Sequence, residues 1–383
     1  MADFVLSCSY TPHSGLRSVI TPQNAITIEA LVANDLLDQA FGWLCRQRKD
    51  WPADTDVWRF RRDWLAEKAR LHDELLSGRY EIGLLNRVTL IKDGEPGEVD
   101  LWPARDAVVM KALTWTLQEH LPLSSRCMHI KGHGGLKQAV CDVYEALPQH
   151  QFVLKTDVKS YYASIDHGLL LDRLSRYIAD ERVMNLIVRY LRRCAERGGL
   201  FWEHRQGISL GCPLSSIIGA FFLAELDEQL DQTGLFWRRY MDDIIVLAPT
   251  RWKLRNAVKI VNRVLTSLVL QKHPDKTFIG HIVKGFKFLG YHFCPEGLTV
   301  AQETFIRFVV RALRLYEQKS GERCASTRLE AYIQRWVRWV KSGILNGLGD
   351  NLAPYVMLAA SIAFCSFLSR LFVIHPPCAY RAL

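Results

Sequence analysis

No two cysteines of this sequence stand at C-x-x-C spacing. The ten cysteines, from Cys8 to Cys378, are scattered along 383 residues. This excludes a zinc ribbon or an HNH-type zinc module and predicts buried free thiols in a reducing, cytoplasmic setting. Met1-Ala2-Asp3-Phe4 supplies no basic segment ahead of an apolar run, so no secretory leader is expected. Internal repeats and low-complexity tracts are absent. Long uncharged runs are scarce too. The one that matters, Leu352 to Ser369, approaches the ~20 residues of a membrane span. Pro354, Ser361, Ser366 and Ser369 lower its hydrophobicity, and a buried C-terminal helix or a subunit contact is expected rather than a span.

What is present is a globular composition. Apolar residues make up 49% and charged residues 23%, which excludes a disordered chain. At ~150 residues per domain, two or three domains are expected. Lys and Arg number 49 against 40 Asp and Glu, a formal charge of +9 that points to a polyanionic partner.

Periodicity predicts an irregular arm over 1–25 and helices over 27–49 and 54–77, the second carrying Val57, Phe60, Trp64, Leu71 and Leu75 at helical spacing. Residues 79–92 read as β, 93–98 as a turn, and about 105–120 and 136–146 as helices. Phe152 to Asp157 has a buried-strand pattern. Helices are expected over about 168–198 and from Pro213 to about Leu230. Residues 236–248 read as strand, acidic turn, strand; 251–269 as a helix. Two strands flank Gly285, the second spanning 286–293, and the remainder is helical and basic. The pattern predicts an α+β chain built around a small antiparallel sheet.

The most informative tetrapeptide is Tyr240-Met241-Asp242-Asp243. Two adjacent acids sit between Leu235-Phe236-Trp237 and Ile244-Ile245-Val246-Leu247. Acids inside an apolar hairpin are costly unless opposite charge compensates, and a metal cation is one such charge; a turn that favours Asp for local hydrogen bonds is the other reading. Asp157 ends an apolar strand. If that strand pairs with the hairpin, Asp157 and Asp242 can bind two Mg²⁺ ions ~4 Å apart, a pair suited to in-line phosphoryl displacement.

In chain order, six blocks resemble those of bacterial reverse transcriptases of the group II intron, retron and defence-associated kind. They are Leu101-Trp102-Pro103-Ala104-Arg105-Asp106; Lys155 to Tyr162 with Ile165-Asp166-His167; Gln206 to Ser215; Tyr240-Met241-Asp242-Asp243; Pro274-Asp275-Lys276-Thr277; and Phe288-Leu289-Gly290-Tyr291. The resemblance covers about residues 80–295. It implies a right-hand polymerase with a helical N-terminal extension (1–78), fingers (79–150), a palm with an antiparallel sheet (151–298, with fingers helices at about 168–205) and a helical basic thumb with a C-terminal helix (299–383).

The same resemblance implies an RNA-directed DNA polymerase that uses two Mg²⁺ ions, for which Mn²⁺ can stand in, and dNTPs on an RNA template with a DNA primer or product. By carry-over, Asp157, Asp242 and Asp243 hold metal, as does the Val158 carbonyl. Tyr162 takes the place of the steric gate against a ribose 2′-hydroxyl. Gln206 and Gly207 line the nucleotide and template loop, Lys92 meets the triphosphate, and Lys276 donates a proton to pyrophosphate. That last task suits a lysine whose pKa is brought toward neutrality. The chain departs from its relatives at Glu98-Val99-Asp100, where many carry an arginine; Arg87 or Arg105 is the expected substitute.

Residues 305–341 hold nine Arg or Lys against three Glu, most of the chain's excess charge. Arg307, Arg311 and Arg314 share a helical face, while Arg335 and Arg338 alternate with Trp336 and Trp339. A surface gripping a nucleic-acid backbone has this composition. Some ninety residues follow the palm, fewer than a thumb, maturase and endonuclease together require. The retron Asn-Ala-x-x-His and Val-Thr-Gly signatures are missing, and Ser215-Ser216 stands where diversity-generating enzymes carry Ser-Gln. The expectation is therefore a host-borne enzyme acting with a dedicated noncoding RNA, with a role in antiphage defence by analogy and with homo-oligomerisation left open. The alternatives are template-independent or protein-primed DNA synthesis, a catalytically silent RNA-binding scaffold, and RNA synthesis, which Tyr162 disfavours.

Overall fold

The computed structural model describes residues 26–33, 35–92, 95–295, 297–317 and 325–344. The arm 1–25 and the uncharged stretch 352–369 lie outside the described residues. Among those described, no helix is long and apolar enough to cross a membrane.

Four helices open the fold: α1 (Ile28–Val32), α2 (Leu36–Gln47), α3 (Asp56–Arg62) and α4 (Trp64–Leu76). Each helix expected over 27–49 and 54–77 is thus broken once. The first break falls at Asp35, whose φ is +54°, and the second at Asp63, which closes α3 by bonding its N–H to the Arg59 carbonyl. Strands β1 (Leu85–Lys92) and β2 (Glu95–Leu101) form a hairpin, followed by α5 (Ala104–His120) and α6 (Gly135–Ala146). Helix α5 is buried along most of its length, so apolar residues are spread around it rather than confined to one stripe.

Then come β3 (Phe152–Thr156), α7 (Tyr161–Ser164), α8 (His167–Leu174) and α9 (Glu181–Leu191). The helical expectation over 168–198 fails at its end. Cys194–Arg197 is β4 and Leu200–Glu203 is β5, a hairpin turned by Gly198 and Gly199, both at positive φ. Strand β4 pairs in parallel with β1, giving the sheet order β2-β1-β4-β5. Residues with weak strand preference take that form because a distant strand offers them hydrogen bonds.

After α10 (Ser215–Phe222) and α11 (Ala224–Asp231) come β6 (Phe236–Tyr240), β7 (Asp243–Ala248), α12 (Arg251–Ser267) and β8 (Phe278–His281). The central sheet has the order β6-β7-β3-β8 and is antiparallel throughout. The expected strand 286–293 is two strands, β9 (Phe286–Phe288) and β10 (Tyr291–Cys294), because Leu289 (φ +48°) and Gly290 (φ +86°) reverse the chain between them. With β11 (Gly297–Val300) these form a small third sheet, unexpected after residue 293. Helices α13 (Gln302–Glu317) and α14 (Ala325–Ile344) pack together beyond it.

Strands β3 and β7 are covered on both faces. Leu154, Ile244, Val246 and Ala248 enter the larger core with the N-terminal helices, α5 and α12. Val153, Ile245 and Leu247 enter a second core with α6, the third sheet, α13 and α14. This explains the unbroken apolar run after Asp243. A fully buried ion pair lies inside the larger core. Arg239, with no exposed surface, donates through Nε to Asp227 Oδ1 at 2.7 Å, through Nη2 to the Ala220 carbonyl at 3.1 Å and through Nη1 to the Met241 carbonyl at 2.8 Å. Asp227→Ala strands that guanidinium without its counter-charge and is expected to destabilise the chain by about 3–5 kcal/mol. The measurement is urea unfolding, which should show a lower midpoint at an unchanged slope.

Candidate active site

The hairpin β6–β7 closes with Tyr240 opposite Asp243, leaving Met241 and Asp242 as its two loop residues. Met241 has φ +56°, a conformation that branched or bulky side chains resist. Strand β3 lies beside β7, with Thr156 opposite Ile244, so Asp157 emerges next to the acidic turn. The chain from Gln271 to His273 pairs with the residues just past β3: Lys159 N–H donates to the Gln271 carbonyl at 2.8 Å, and His273 N–H to the Asp157 carbonyl at 2.7 Å. A short 3₁₀ turn, Pro274–Lys276, then brings Lys276 Nζ to 2.5 Å from Asp157 Oδ2.

Asp157 is buried at 6% exposure, and its carboxylate accepts a hydrogen bond from the carboxyl of Asp242. Burial and then the Asp157 charge push the pKa of Asp242 up to about 7. Burial also disfavours the Asp157 carboxylate, but the bonds from Asp242 and Lys276 outweigh it and hold Asp157 below the usual range. Asp243 is raised by burial, opposed by Lys155, whose Nζ lies 3.1 Å from Asp243 Oδ1. Among the described residues, no three His, Cys, Asp or Glu side chains are already gathered as a metal cage. Two of the three expected carboxylates meet directly, and the third stands alongside in a lysine's grip.

The donor chemistry fits a hard divalent cation. All three groups offer carboxylate oxygens, two share a proton for want of opposite charge, and ammonium groups supply what positive charge there is. Val158, also expected at the metal, is buried and its backbone bridges to Lys272. Lys276 departs from expectation: its pKa is raised by its bond to Asp157, not lowered toward neutrality.

Tyr162 stands within the electrostatic reach of Asp242, and burial pushes its hydroxyl up to about 12. Its ring rests on α10 at Gly219, where a Cβ would lie 3.0 Å from the ring. Gly207 has φ +80° and lies against α7 so closely that a Cβ would meet Ala163 and Tyr162 backbone atoms at 2.9 Å. Its N–H donates to the Ile165 carbonyl at 2.8 Å, and the Ile208 N–H to the Tyr162 carbonyl at 2.7 Å, so this loop backs directly onto the tyrosine. Gln206 is exposed and donates to the Ser164 carbonyl at 3.2 Å.

Lys92 ends β1 opposite Glu95, and its side chain is outside the described set. The proposed substitutes for a second triphosphate arginine are engaged elsewhere. Arg87 Nε donates to Asp100 at 2.9 Å, and Arg105 pairs with Glu74. Asp100 itself is buried, so this acid faces inward.

Arg307, Arg311, Arg314, Arg335 and Arg338 are all exposed on α13 and α14. Arg311 lies over the Tyr332 ring at 5.4 Å and lines, with Arg328 and Arg335, an open groove of about 320 Å³. The tryptophans between the arginines point the other way. Trp336 is buried against Phe308, ring centroids 4.0 Å apart, and Trp339 stacks on Tyr291 at 4.8 Å. They are core, and only the guanidinium groups face outward.

Sequence reasoning missed four residues of this site: Lys155, Arg239, Gly219 and His129. Lys155, Gly219 and His129 act through partners far along the chain and Arg239 through Asp227, 12 residues before it, and no local pattern marks any of them.

Residues 105–293 match the family model described as reverse transcriptase (RNA-dependent DNA polymerase). That match supports a reverse transcriptase of the bacterial type, an RNA-directed DNA polymerase and nucleotidyltransferase. Protein YkfC of Escherichia coli (strain K12) is 25% identical over 269 residues, 58% of this chain and 69% of YkfC. A putative COX1/OXI3 intron 1 protein of Saccharomyces cerevisiae is 22% identical over 219 residues, and the chain spans 26% of its length. A solved chain of the partial Cas6-RT-Cas1–Cas2 complex aligns over 67% of this chain and 44% of its own, at 17% identity and a TM-score of 0.38.

The raised pKa of Asp242 has a consequence for stability. Its protonated form is favoured in the folded chain, so its contribution is present at low pH and lost as pH rises through about 7. Asp157 works in the opposite sense, but only below the ordinary carboxylate range. In metal-free buffer the wild type is expected to lose thermal stability between about pH 5 and about pH 8, and Asp242→Asn to lose much less. Mg²⁺ at about pH 8 should raise the melting temperature of the wild type and not of Asp242→Asn. Differential scanning calorimetry measures both.

Proposed function

We propose that this chain extends a primer 3′-hydroxyl with dNTPs on an RNA template, and that the meeting of Asp157 and Asp242 marks the place of reaction. That juxtaposition carries the reading, since a dyad kept half-buried at a sheet end is unfavourable without a cation. Asp157, Asp242 and Asp243 would hold Mg²⁺ or Mn²⁺, with the Val158 carbonyl as a further ligand. Bound there, the ions supply a lower pKa for the attacking hydroxyl and charge neutralisation on the triphosphate.

The chain's own groups do the rest. Asp242 would pass its shared proton to solvent water as substrate binds. Lys276, whose side chain is half-exposed, would release Asp157 and turn to the departing pyrophosphate. Its proton then passes to a leaving oxygen that is strongly basic while the bond breaks. Tyr162 lies under the sugar and excludes a 2′-hydroxyl; Gly207 and Gln206 shape the same pocket from behind. The sheet β6-β7-β3-β8 is the palm in this reading, β2-β1-β4-β5 belongs to the fingers, and α13 with α14 forms a thumb whose five arginines hold backbone phosphates. A dedicated noncoding RNA as template and a role in limiting phage rest on family resemblance, and sequencing the nucleic acid that copurifies with the protein tests them.

The direct test is primer extension by the purified protein on an RNA template with Mg²⁺, comparing dNTPs with rNTPs. Wild type should incorporate dNTPs, and Asp242→Asn should lose at least about 100-fold. Equal incorporation by both would overturn the reading. A second outcome concerns sugar choice. Tyr162→Ala should raise rNTP use relative to dNTP by about 10-fold or more, and Gly219→Ala, which pushes the ring toward the sugar, should raise the KM for dNTP. Steady-state constants for the two nucleotide types measure both effects.

A further inference from the structure

His129 lies outside all six blocks of the family resemblance, yet it bonds to the catalytic turn. Its Nδ1 accepts the Met241 N–H at 2.9 Å, and its Nε2 lies 3.2 Å from the Ser216 carbonyl. A single tautomer satisfies both bonds: the proton sits on Nε2, which donates, and bare Nδ1 accepts. The Cys127 thiol lies 3.4 Å from the same Nδ1, and the Tyr240 ring stands edge-on to the imidazole at 5.9 Å. Met241 is therefore held from both ends, its N–H by His129 and its carbonyl by Arg239 Nη1 at 2.8 Å. It is the residue at φ +56°, and its neighbour Asp242 is aimed at Asp157 by that backbone.

We infer that His129 is a positioning residue for the polymerase reaction. It holds Met241 in the left-handed conformation, and through Ser216 it fixes the distance from the acidic turn to helix α10. Ser216 is one turn from Gly219, the residue that supports Tyr162, so a single imidazole ties the carboxylate turn to the floor of the sugar pocket. The left-handed region is unfavourable for a methionine and free for a glycine, so a fixed external acceptor is what makes methionine tolerable here. This inference rests on the polymerase reading above for its consequence, and on the hydrogen bonds alone for its geometry.

The test uses the full-length chain with His129→Asn, His129→Gln and His129→Leu. Asparagine places an acceptor oxygen where Nδ1 stands; glutamine reaches the Nε2 position and leaves the Met241 N–H without a partner. The expected result is that Asn keeps kcat within about threefold of wild type, while Gln and Leu lose about tenfold or more with KM for dNTP little changed. Amide exchange of the peptide containing Met241, followed by mass spectrometry, should speed up in Gln and Leu and not in Asn. In a Met241→Gly background the effect of His129→Leu on kcat should shrink to within about threefold, because glycine holds the turn unaided. Equal losses for Asn and Gln, unchanged exchange in all three, or an undiminished effect in the glycine background would each overturn the inference. If wild type extends no primer, the polymerase reading fails, and the exchange series still decides whether His129 holds the turn.

Discussion

Two carboxyl groups held against each other at the buried end of a sheet set the terms for everything around them. Left alone, Asp157 and Asp242 would repel and the hairpin would open. The fold keeps them together by letting one carry a proton and by giving the other an ammonium partner. The result is a site in tension that a divalent cation would relieve. Lys276 and Lys155 are best understood in those terms, as internal cations that balance charge until a mobile one replaces them. A lysine hydrogen-bonded to a buried carboxylate is also a lysine with its proton secured, which is the state from which a general acid must start.

That tension needs a rigid frame, and the frame is an unusual use of a buried ion pair. Arg239 and Asp227 gain little net stability from each other once desolvation is counted. Their value lies in the remaining guanidinium protons, which fix the Met241 and Ala220 carbonyls. One side chain of β6 thus sets both the turn that carries Asp242 and helix α10 beneath Tyr162. His129 repeats the connection from the other side with a neutral group, its pKa brought down to about 4 by burial and by the Arg239 charge. A neutral imidazole is the consistent choice there: a second cation beside Arg239 would repel it, and a protonated Nδ1 would have nothing to offer the Met241 N–H.

Much of this was legible in the sequence, and the boundary of what was legible is physical. The acidic hairpin, β3 with Asp157, the helix after Pro213 and the long helix α5 follow from local pattern, because their burial is periodic or continuous along the chain. The β4–β5 hairpin was unreadable, since Cys194 to Arg197 becomes a strand only by pairing with β1, more than a hundred residues away. The β9–β10 reversal was hidden in Leu289, a residue type that rarely adopts positive φ. The carboxylates that gather at the candidate site were legible, because an acid in an apolar run is conspicuous. The residues that surround them were not: His129, Lys155 and Gly219 are ordinary by composition and become specific only through distant partners, and Arg239 does so through burial against Asp227. The paired tryptophans erred in the opposite direction, conspicuous in sequence and ordinary in the structure, where they fill the second core.

The same contrast explains why the basic helices can be plain while the acidic turn cannot. A phosphate backbone is long, uniformly charged and hydrated, so arginines at helical intervals on an exposed face meet it without fixed geometry. Their stems need only a firm support, which Phe308 stacked on Trp336 and Trp339 stacked on Tyr291 provide. Phosphoryl transfer has the reverse requirement. Its attacking and leaving oxygens must lie in line within a few tenths of an ångström, so the groups that would hold them in the proposed reading sit on a turn fixed by a strained residue, a buried ion pair and a neutral imidazole at once. Fixed geometry in this chain is concentrated in the few residues around Met241, and in the proposed reading the exposed arginines of α13 and α14 would be free to adapt to a nucleic acid.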